Sequence, residues 1–218
     1  LFADKGLAAI QELAVYFAVV VAVLLVHASL VYGSLITVLA RLNPKTFYAK
    51  MRNVQLFAFS TASSNATLPI TMRTVEKRLG VDNSVASFSV PLGATLNMDG
   101  TAIMQGVATV FIAQAYGIVL APADFLTVIA TATLASIGTA GVPGVGLVML
   151  SLVLTQVGLP VEGIALIIGV DRLLDMLRTA VNVTGDAAVS CIVANSERKL
   201  DKTCFDDINA GQLETEGK

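Results

Sequence analysis

The stretch "DRLLDMLRTAVNVTGD", residues 171–186, lies between "GIALIIGV" (163–170) and "AAVSCIVA" (187–194), two flanks apolar enough to sit in a membrane. It nevertheless carries Asp171, Arg172, Asp175, Arg178 and Asp186. An α-helix turns about 100° per residue. With Asp171 at zero, Asp175 falls at about +40°, Arg178 at about −20°, Asn182 at about +20° and Asp186 at about +60°. Thr179, at about +80°, borders the same stripe, and the other positions are mostly Leu, Met, Ala and Val. A charge facing lipid costs about 2.5–3.5 kcal/mol even on the mildest scale. The stripe must therefore face protein, and its charges must find partners. A ladder of ion pairs, Asp175 with Arg178 and Asp171 with Arg178, is the plain structural use. The stripe is richer than a ladder needs. Arg178 offers a planar fork for a carboxylate, Asp175 an acceptor for an ammonium, and Asn182 and Thr179 neutral polar contacts. With Asp186 further along and Asp99 isolated elsewhere, the set fits a zwitterion with an extra acidic group, plus cations held by carboxylates and carbonyls.

Composition puts the rest of the chain in the same setting. Hydrophobic residues make up 55% and charged residues 14%, against roughly 25% charge in soluble domains. The chain reads as an integral membrane protein. Its net charge is −2, with no basic cluster and no Trp, so nucleic-acid binding has no support. Cys191 and Cys204 form neither a CxxC nor a disulfide framework. His27, the one histidine, reads as a helix-packing residue. The chain starts at Leu1 without the basic leader of a signal peptide, so the reading expects a piece of a longer protein.

Residues 13–40 hold no Asp, Glu, Lys or Arg, enough for one tilted span. Residues 54–72 are apolar at both ends and polar at "SSNA". Arg41, Lys45, Lys50 and Arg52 precede them and Arg73, Lys77 and Arg78 follow. Basic loops stay cytoplasmic, so this segment predicts a re-entrant hairpin from the inside. Residues 83–98 and 100–123 predict one span broken near "NMDGT". Residues 125–161 are uncharged; a single helix of that length would reach about 55 Å, against a hydrocarbon core of about 30 Å. "GTAGVPG" (138–144) cuts it, giving a second hairpin, from the outside. A last span covers 163–196, followed by the basic "ERKLDK". The expected fold is an all-α membrane protein: one transmembrane helix, then an inverted repeat of re-entrant hairpin plus broken transmembrane helix, twice. Such repeats place substrate at the midplane on broken helices. Irregular backbone is tolerated at membrane depth only inside protein or against water. Exposed N–H ends favour carboxylates, and C=O ends favour small hard cations such as sodium.

Four segments carry a specific resemblance. "SSNATLPIT", "PLGATLNMDGTA", "ASIGTAGVPG" and "LRTAVNVTGD" resemble, in order and spacing, the motifs of the dicarboxylate/amino acid:cation symporter family, whose members include archaeal aspartate transporters and excitatory amino-acid transporters. The resemblance implies the family's sixth segment, first hairpin, seventh segment, second hairpin and eighth segment. Residues 1–200 would be a transport (elevator) domain without its N-terminal segments and scaffold, and 201–218 a flexible cytoplasmic tail. It implies that Arg178 clamps the substrate's side-chain carboxylate with Thr101 and the backbone of Gly146. Asp175 and Thr179 would hold the amino group, and Asn182, Ser64 and the backbone of Val142 the α-carboxylate. One sodium would sit at Asp186 with backbone of Gly93, Asn97 and Asn182. A second would use Thr95 and Met98 with backbone of Ser136, Ile137 and Thr139, and a third Asn97 and Asp99.

The resemblance also sorts substrates. Asp175 argues for an amino acid over a C4-dicarboxylate, Arg178 for an acidic side chain, and Asp186 for sodium over protons. Gln105 stands where mammalian members have a glutamate tied to proton cotransport. Ala62 replaces an archaeal Arg, and Arg172 is the candidate to supply that cation. The expected function is sodium-coupled symport of L-aspartate or L-glutamate across the cytoplasmic membrane, with sodium as coupling ion and no other cofactor. The full-length protein would be a homotrimer with a cytoplasmic C-terminus, and the second hairpin its outer gate. The alternatives are a C4-dicarboxylate or proton-coupled carrier of the same family and, more distantly, an intramembrane aspartyl protease using Asp99 and Asp186. The protease lacks a GxGD and would leave Arg178 without a purpose.

Overall fold

The structure, a computed structural model, describes residues 7–137 and 139–211. Gly138, which opens the expected second tip, and residues 212–218 of the expected tail lie outside that range.

The first helix, α1, runs as α-helix over Leu7–Val26. It continues through a π-helical turn His27–Tyr32, an α-helical turn Gly33–Leu35 and a second π-helical turn Ile36–Ala40. Residues Ile10–Ala40 are long and apolar enough to cross a membrane, and little of their surface is buried. Arg41 closes the helix in the left-handed conformation.

Two helices then fold into a hairpin. Helix α2 (Pro44–Thr61) begins where the Asn43 side chain accepts from the Lys45 N–H and Pro44 takes the first turn, a position at which its missing N–H costs nothing. It starts some ten residues before the hydrophobic stretch, because Phe47, Lys50 and Met51 form a buried face that continues at Val54 and Ala58. The chain turns at Ala62 (φ 50°) and re-enters helix α3 (Ser64–Lys77), capped by Ser63. Helix α4 (Asn83–Leu96) starts at Asp82, whose carboxylate accepts from the Ser84 hydroxyl and N–H. Those hydrogen bonds, the hydroxyl's foremost, hold this exposed carboxyl below the usual carboxylate range.

The break expected in this span is present. Asn97 (φ −100°, ψ 74°) and Met98 leave the helix, and α5 (Asp99–Ala115) restarts it. A second hairpin follows: α6 (Pro122–Ser136), an irregular tip, and α7 (Val145–Gln156). A 3-10 turn, Val161–Leu166, leads into α8 (Ile168–Ser196). A helical hairpin followed by a long helical segment, α4–α5 and then α8, thus occurs twice.

The second span differs from expectation. It is not broken: α8 is helical without interruption through "NVTGD". Asn182 spends its side chain across the helix boundary, where its Oδ1 accepts from the Gly100 N–H at 2.8 Å. It does not compete with its own backbone, and no proline interrupts the helix. Asn182 thereby caps the restart of α5 and supports the break in the other span.

Helix α8 is the centre of the fold and packs on α1 to α5. It joins two apolar cores. One holds Phe47, Met51, Val54, Leu79, Val90, Ala187 and Cys191; the other holds Val20, Met104, Ile112, Leu150, Leu154 and Leu174. Large apolar side chains also line the outside, among them Phe88 (69% exposed), Leu134 (70%) and Leu126 (70%). They suit an apolar solvent. Among the described residues no strand forms; Val81 and Leu200 make one isolated bridge.

The expected flexible tail begins with a docked segment. Helix α9 (Lys202–Asp206) follows an Asp201 cap, and Phe205 is fully buried in the first core. Lys50, also fully buried, donates to the carbonyls of Arg78 (2.5 Å) and Cys204 (2.8 Å), with its ammonium 5.4 Å from the Phe205 ring centroid. Arg78 returns bonds to the Lys50 and Ile208 carbonyls. Phe205→Ala should lower the unfolding free energy by about 3 kcal/mol, read as an earlier thermal transition in detergent; an unchanged transition would show that α9 is not part of the folded unit.

Candidate functional site

The two hairpin tips meet. Ser63 Oγ donates to the Gly141 carbonyl at 2.7 Å, and the Asn65 N–H donates to the same oxygen at 3.1 Å. Ser64, buried, lies with its Cβ against Gly141. The sequence named Ser64, yet Ser63 makes the link between the tips. The Val142 N–H is turned back onto the Ala140 carbonyl at 2.8 Å, and the Val142 side chain is exposed.

Against this junction stands the inner stripe of α8. Arg178 is 1% exposed. Its Nη2 donates to Asp175 Oδ1 at 2.9 Å, and its Nη1 lies 3.1 Å from Asp171 Oδ1 without the alignment of a hydrogen bond. Nε and Nη1 thus remain buried donors without a hydrogen-bonding partner. The other oxygen of Asp175 accepts from the Gly144 N–H at 3.0 Å, which ties the second tip to α8. A Cβ added at Gly146 would stand 3.3 Å from Arg178 Nη2 and 3.4 Å from Thr101 Cγ2, so these three residues share one spot. Gln105 Nε2 reaches the Gly146 carbonyl at 3.5 Å, and its Oε1 is buried without a partner. Asn182 Nδ2 points to Thr101 Oγ1 (3.4 Å) and Met98 Sδ (3.2 Å). The Thr179 hydroxyl is bonded to the Asp175 carbonyl on its own helix. The structure therefore links Ser64, Thr101, Gly146, Asp175, Arg178 and Asn182 in one continuous cluster at the tips, while Thr179 bonds only within α8. It leaves Arg172 on the exposed side of α8, while Asp171 turns inward to Arg178. The Arg172 side chain is exposed, outside the buried stripe.

A second polar centre surrounds Asp186, 2% exposed. Asn97 Nδ2 donates to Asp186 Oδ1 at 3.1 Å and to the Asn182 carbonyl at 3.3 Å. Gly93 lies so close that an added Cβ would stand 2.6 Å from Asp186 Oδ1. The Asp186 carboxylate, the Asn182 carbonyl and the Asn97 side chain are the groups here that would hold a small hard cation. The donors present fit such an ion, since a single amide does not balance a buried carboxylate charge.

The remaining cation assignments fare differently. Thr95 bonds its hydroxyl to the Leu92 carbonyl; Ser136 and Thr139 bond theirs to Thr133 and Ala135. No hydrogen bond among the described residues joins the Thr95–Met98 end to the Ser136, Ile137 and Thr139 end. Asp99 accepts from the Tyr32 hydroxyl at 3.0 Å and lies 3.1 Å from His27 Nε2. His27 is therefore more than the packing residue read from sequence, and Tyr32 was not singled out at all. On an α-helical wheel the two stand about 140° apart, so no sequence pattern paired them.

Comparison with known proteins follows the same lines. Residues 1–196 match the model of the sodium:dicarboxylate symporter family. Excitatory amino acid transporter 2 of Homo sapiens is 45% identical over 192 residues, 88% of this chain and 33% of the relative. An excitatory amino acid transporter of Caenorhabditis elegans is 48% identical over 183 residues, 84% of this chain and 36% of the relative. Excitatory amino acid transporter 3 of Mus musculus is 46% identical over 189 residues, 87% and 36% of the two chains. The chain spans about a third of the length of these relatives. With the family model covering nearly its whole length, the chain belongs to the sodium:dicarboxylate symporter family.

Proposed function

We propose that this chain carries the substrate and ion sites of a sodium-coupled symporter for an acidic amino acid, L-aspartate or L-glutamate. The observation that carries the reading is Arg178: fully buried beneath the joined hairpin tips, with two of its donor nitrogens lacking a hydrogen-bonded acceptor. A substrate side-chain carboxylate would take that fork, beside Thr101 and Gly146. Asp175, now released from Arg178, would accept the ammonium with Thr179. Asn182 and Ser64, with the tip backbone at Val142, would hold the α-carboxylate. The guest thus replaces an internal ion pair, and neither partner is left as an uncompensated buried charge.

Charge arithmetic favours cotransport of cations. Asp171, Asp175 and Asp186 are buried with Arg178, a group that is net negative when ionised. An acidic amino acid adds one more negative charge. Moving that assembly through an apolar core requires compensating cations. Sodium at Asp186, with backbone of Gly93, Asn97 and Asn182, would supply one. Asn97 with Asp99 would hold another. Thr95, Met98, Ser136, Ile137 and Thr139 would come together around a third only if the second tip shifts when substrate binds.

The hairpins are re-entrant on this reading, and the two hairpin–span units are inverted relative to each other in the cytoplasmic membrane, with the C-terminus inside. The full-length protein assembles as a homotrimer, and the domain moves past a scaffold outside this chain. The Gly144–Asp175 bond is then the contact by which the second tip registers occupancy of the site.

Two experiments test the reading on the intact protein. Arg178→Ala should weaken sodium-dependent binding of L-aspartate by about thirtyfold or more, because truncating one partner of a buried charge pair costs about 2–5 kcal/mol; retained affinity in calorimetry refutes the clamp. Gly93→Ala should displace the Asp186 carboxylate and raise the sodium concentration needed for half-maximal aspartate binding about tenfold or more. An unaltered sodium requirement would remove Asp186 from the ion site.

A further inference from the structure

The residues assigned to cations lie on α4, α5, α6 and α8 or in the irregular segments beside them. The structure adds one from α1. Tyr32 is 2% exposed and ends the π-helical turn His27–Tyr32. Its hydroxyl donates to Asp99 Oδ2 at 3.0 Å; the same oxygen is 3.1 Å from His27 Nε2, and the two rings meet edge to face at 4.7 Å. On its other side the hydroxyl overhangs Gly185. A Cβ at Gly185 would collide with both the Tyr32 hydroxyl and the Asn97 amide nitrogen, so these two polar groups converge on one point above α8. That same amide nitrogen donates to Asp186 Oδ1 at 3.1 Å. Polar groups in close succession therefore lead from Asp99 through the Tyr32 hydroxyl and the neighbouring Asn97 amide to Asp186.

The π-helical turn explains how one segment supplies both aromatic groups. Five residues along an α-helix turn the side chain by about 140°, so His27 and Tyr32 would face different neighbours. Bonding of i to i+5 widens the turn, so the fifth residue falls much closer to the face of the first. Such turns are rare and concentrate where function holds them. Gly185 fits the same purpose from the opposite side, since no side chain could stand between the hydroxyl and α8.

We propose that Tyr32 is a positioning residue that couples the Asp99 and Asp186 cation sites, holding the Asp99 carboxylate with its hydroxyl and closing over Gly185 against the Asn97 amide that spans Asp186. A cation ordering either carboxylate then orders the shared Tyr32–Asn97 contact and favours occupancy of the other, which is a linkage between two sites for monovalent alkali cations. The inference rests on the reading of Asp99 and Asp186 as cation sites.

The test is Tyr32→Phe in the intact protein, which removes the hydroxyl and keeps the ring. L-aspartate binding is measured by calorimetry across a sodium series, beside Asp186→Asn. In Tyr32→Phe the half-saturating sodium concentration should rise about five- to tenfold and the sodium dependence should become less steep, while aspartate affinity at saturating sodium stays within about twofold. Gly185→Ala, which pushes on the same contact from α8, should flatten the sodium dependence in the same way. A Tyr32→Phe protein with wild-type midpoint and steepness overturns the coupling. So does one whose aspartate affinity falls equally at every sodium concentration, the mark of a merely structural loss. If Asp186→Asn keeps the wild-type sodium dependence, the cation-site reading itself fails, and the coupling falls with it.

Discussion

Burial of the Arg178 guanidinium is the constraint on which the remaining structure depends. Stripped of water, it must be held by carboxylates, and the two that do so, Asp171 and Asp175, sit two turns and one turn away on the same helix. Their own desolvation is large, so the stripe they form has to be sealed from lipid on every side. That requirement places α8 at the centre, with α1 to α5 packed around it and the second tip drawn onto Asp175 through the Gly144 N–H. Even so the cluster is left with buried donors on Arg178 that no protein acceptor aligns with. A site built to be completed by a guest has this form; a purely structural ion pair is normally saturated.

The irregular backbone serves the same end. Broken helices at depth expose N–H and C=O groups, and here each break is met by a side chain or by another break. Asn182 caps the restart of α5, Ser63 and Asn65 meet the carbonyl of Gly141, and Asn97 crosses to Asp186. One residue often serves two neighbours: Asn182 touches the α5 cap, Thr101 and, through its carbonyl, the Asn97 amide. On the proposed reading substrate contacts and ion contacts share the residue Asn182, through its side chain and its carbonyl, which would give binding of one a direct physical route to influence the other.

Much of this was legible in the sequence because its signals are local. The glycines and proline of 138–144 and the polar "SSNA" mark hairpin tips, and "NMDG" marks a helix break; each announces itself by residue type. The stripe of α8 followed from helical periodicity alone. What escaped depends on partners distant in the chain. "NVTGD" looks like a second break, but Asn182 bonds across to Gly100 and the helix continues. Lys50 reads as a loop charge, yet two carbonyls and the Phe205 ring bury it, and they also dock residues that read as a loose tail. His27 and Tyr32 pair across a π-helical turn, which no wheel drawn at the α-helical angle reveals.

The central claim is that Arg178 faces an anionic, amine-bearing guest whose charge is balanced by sodium. Calorimetric titration of the intact wild-type protein tests it most directly, with L-aspartate and with succinate, each in sodium and in choline buffer. The account expects saturable aspartate binding in sodium, binding weaker by at least about two orders of magnitude in choline, and little succinate binding in either, because succinate leaves Asp175 without its ammonium. Equal aspartate affinity in the two buffers, or succinate bound as tightly as aspartate, would contradict it.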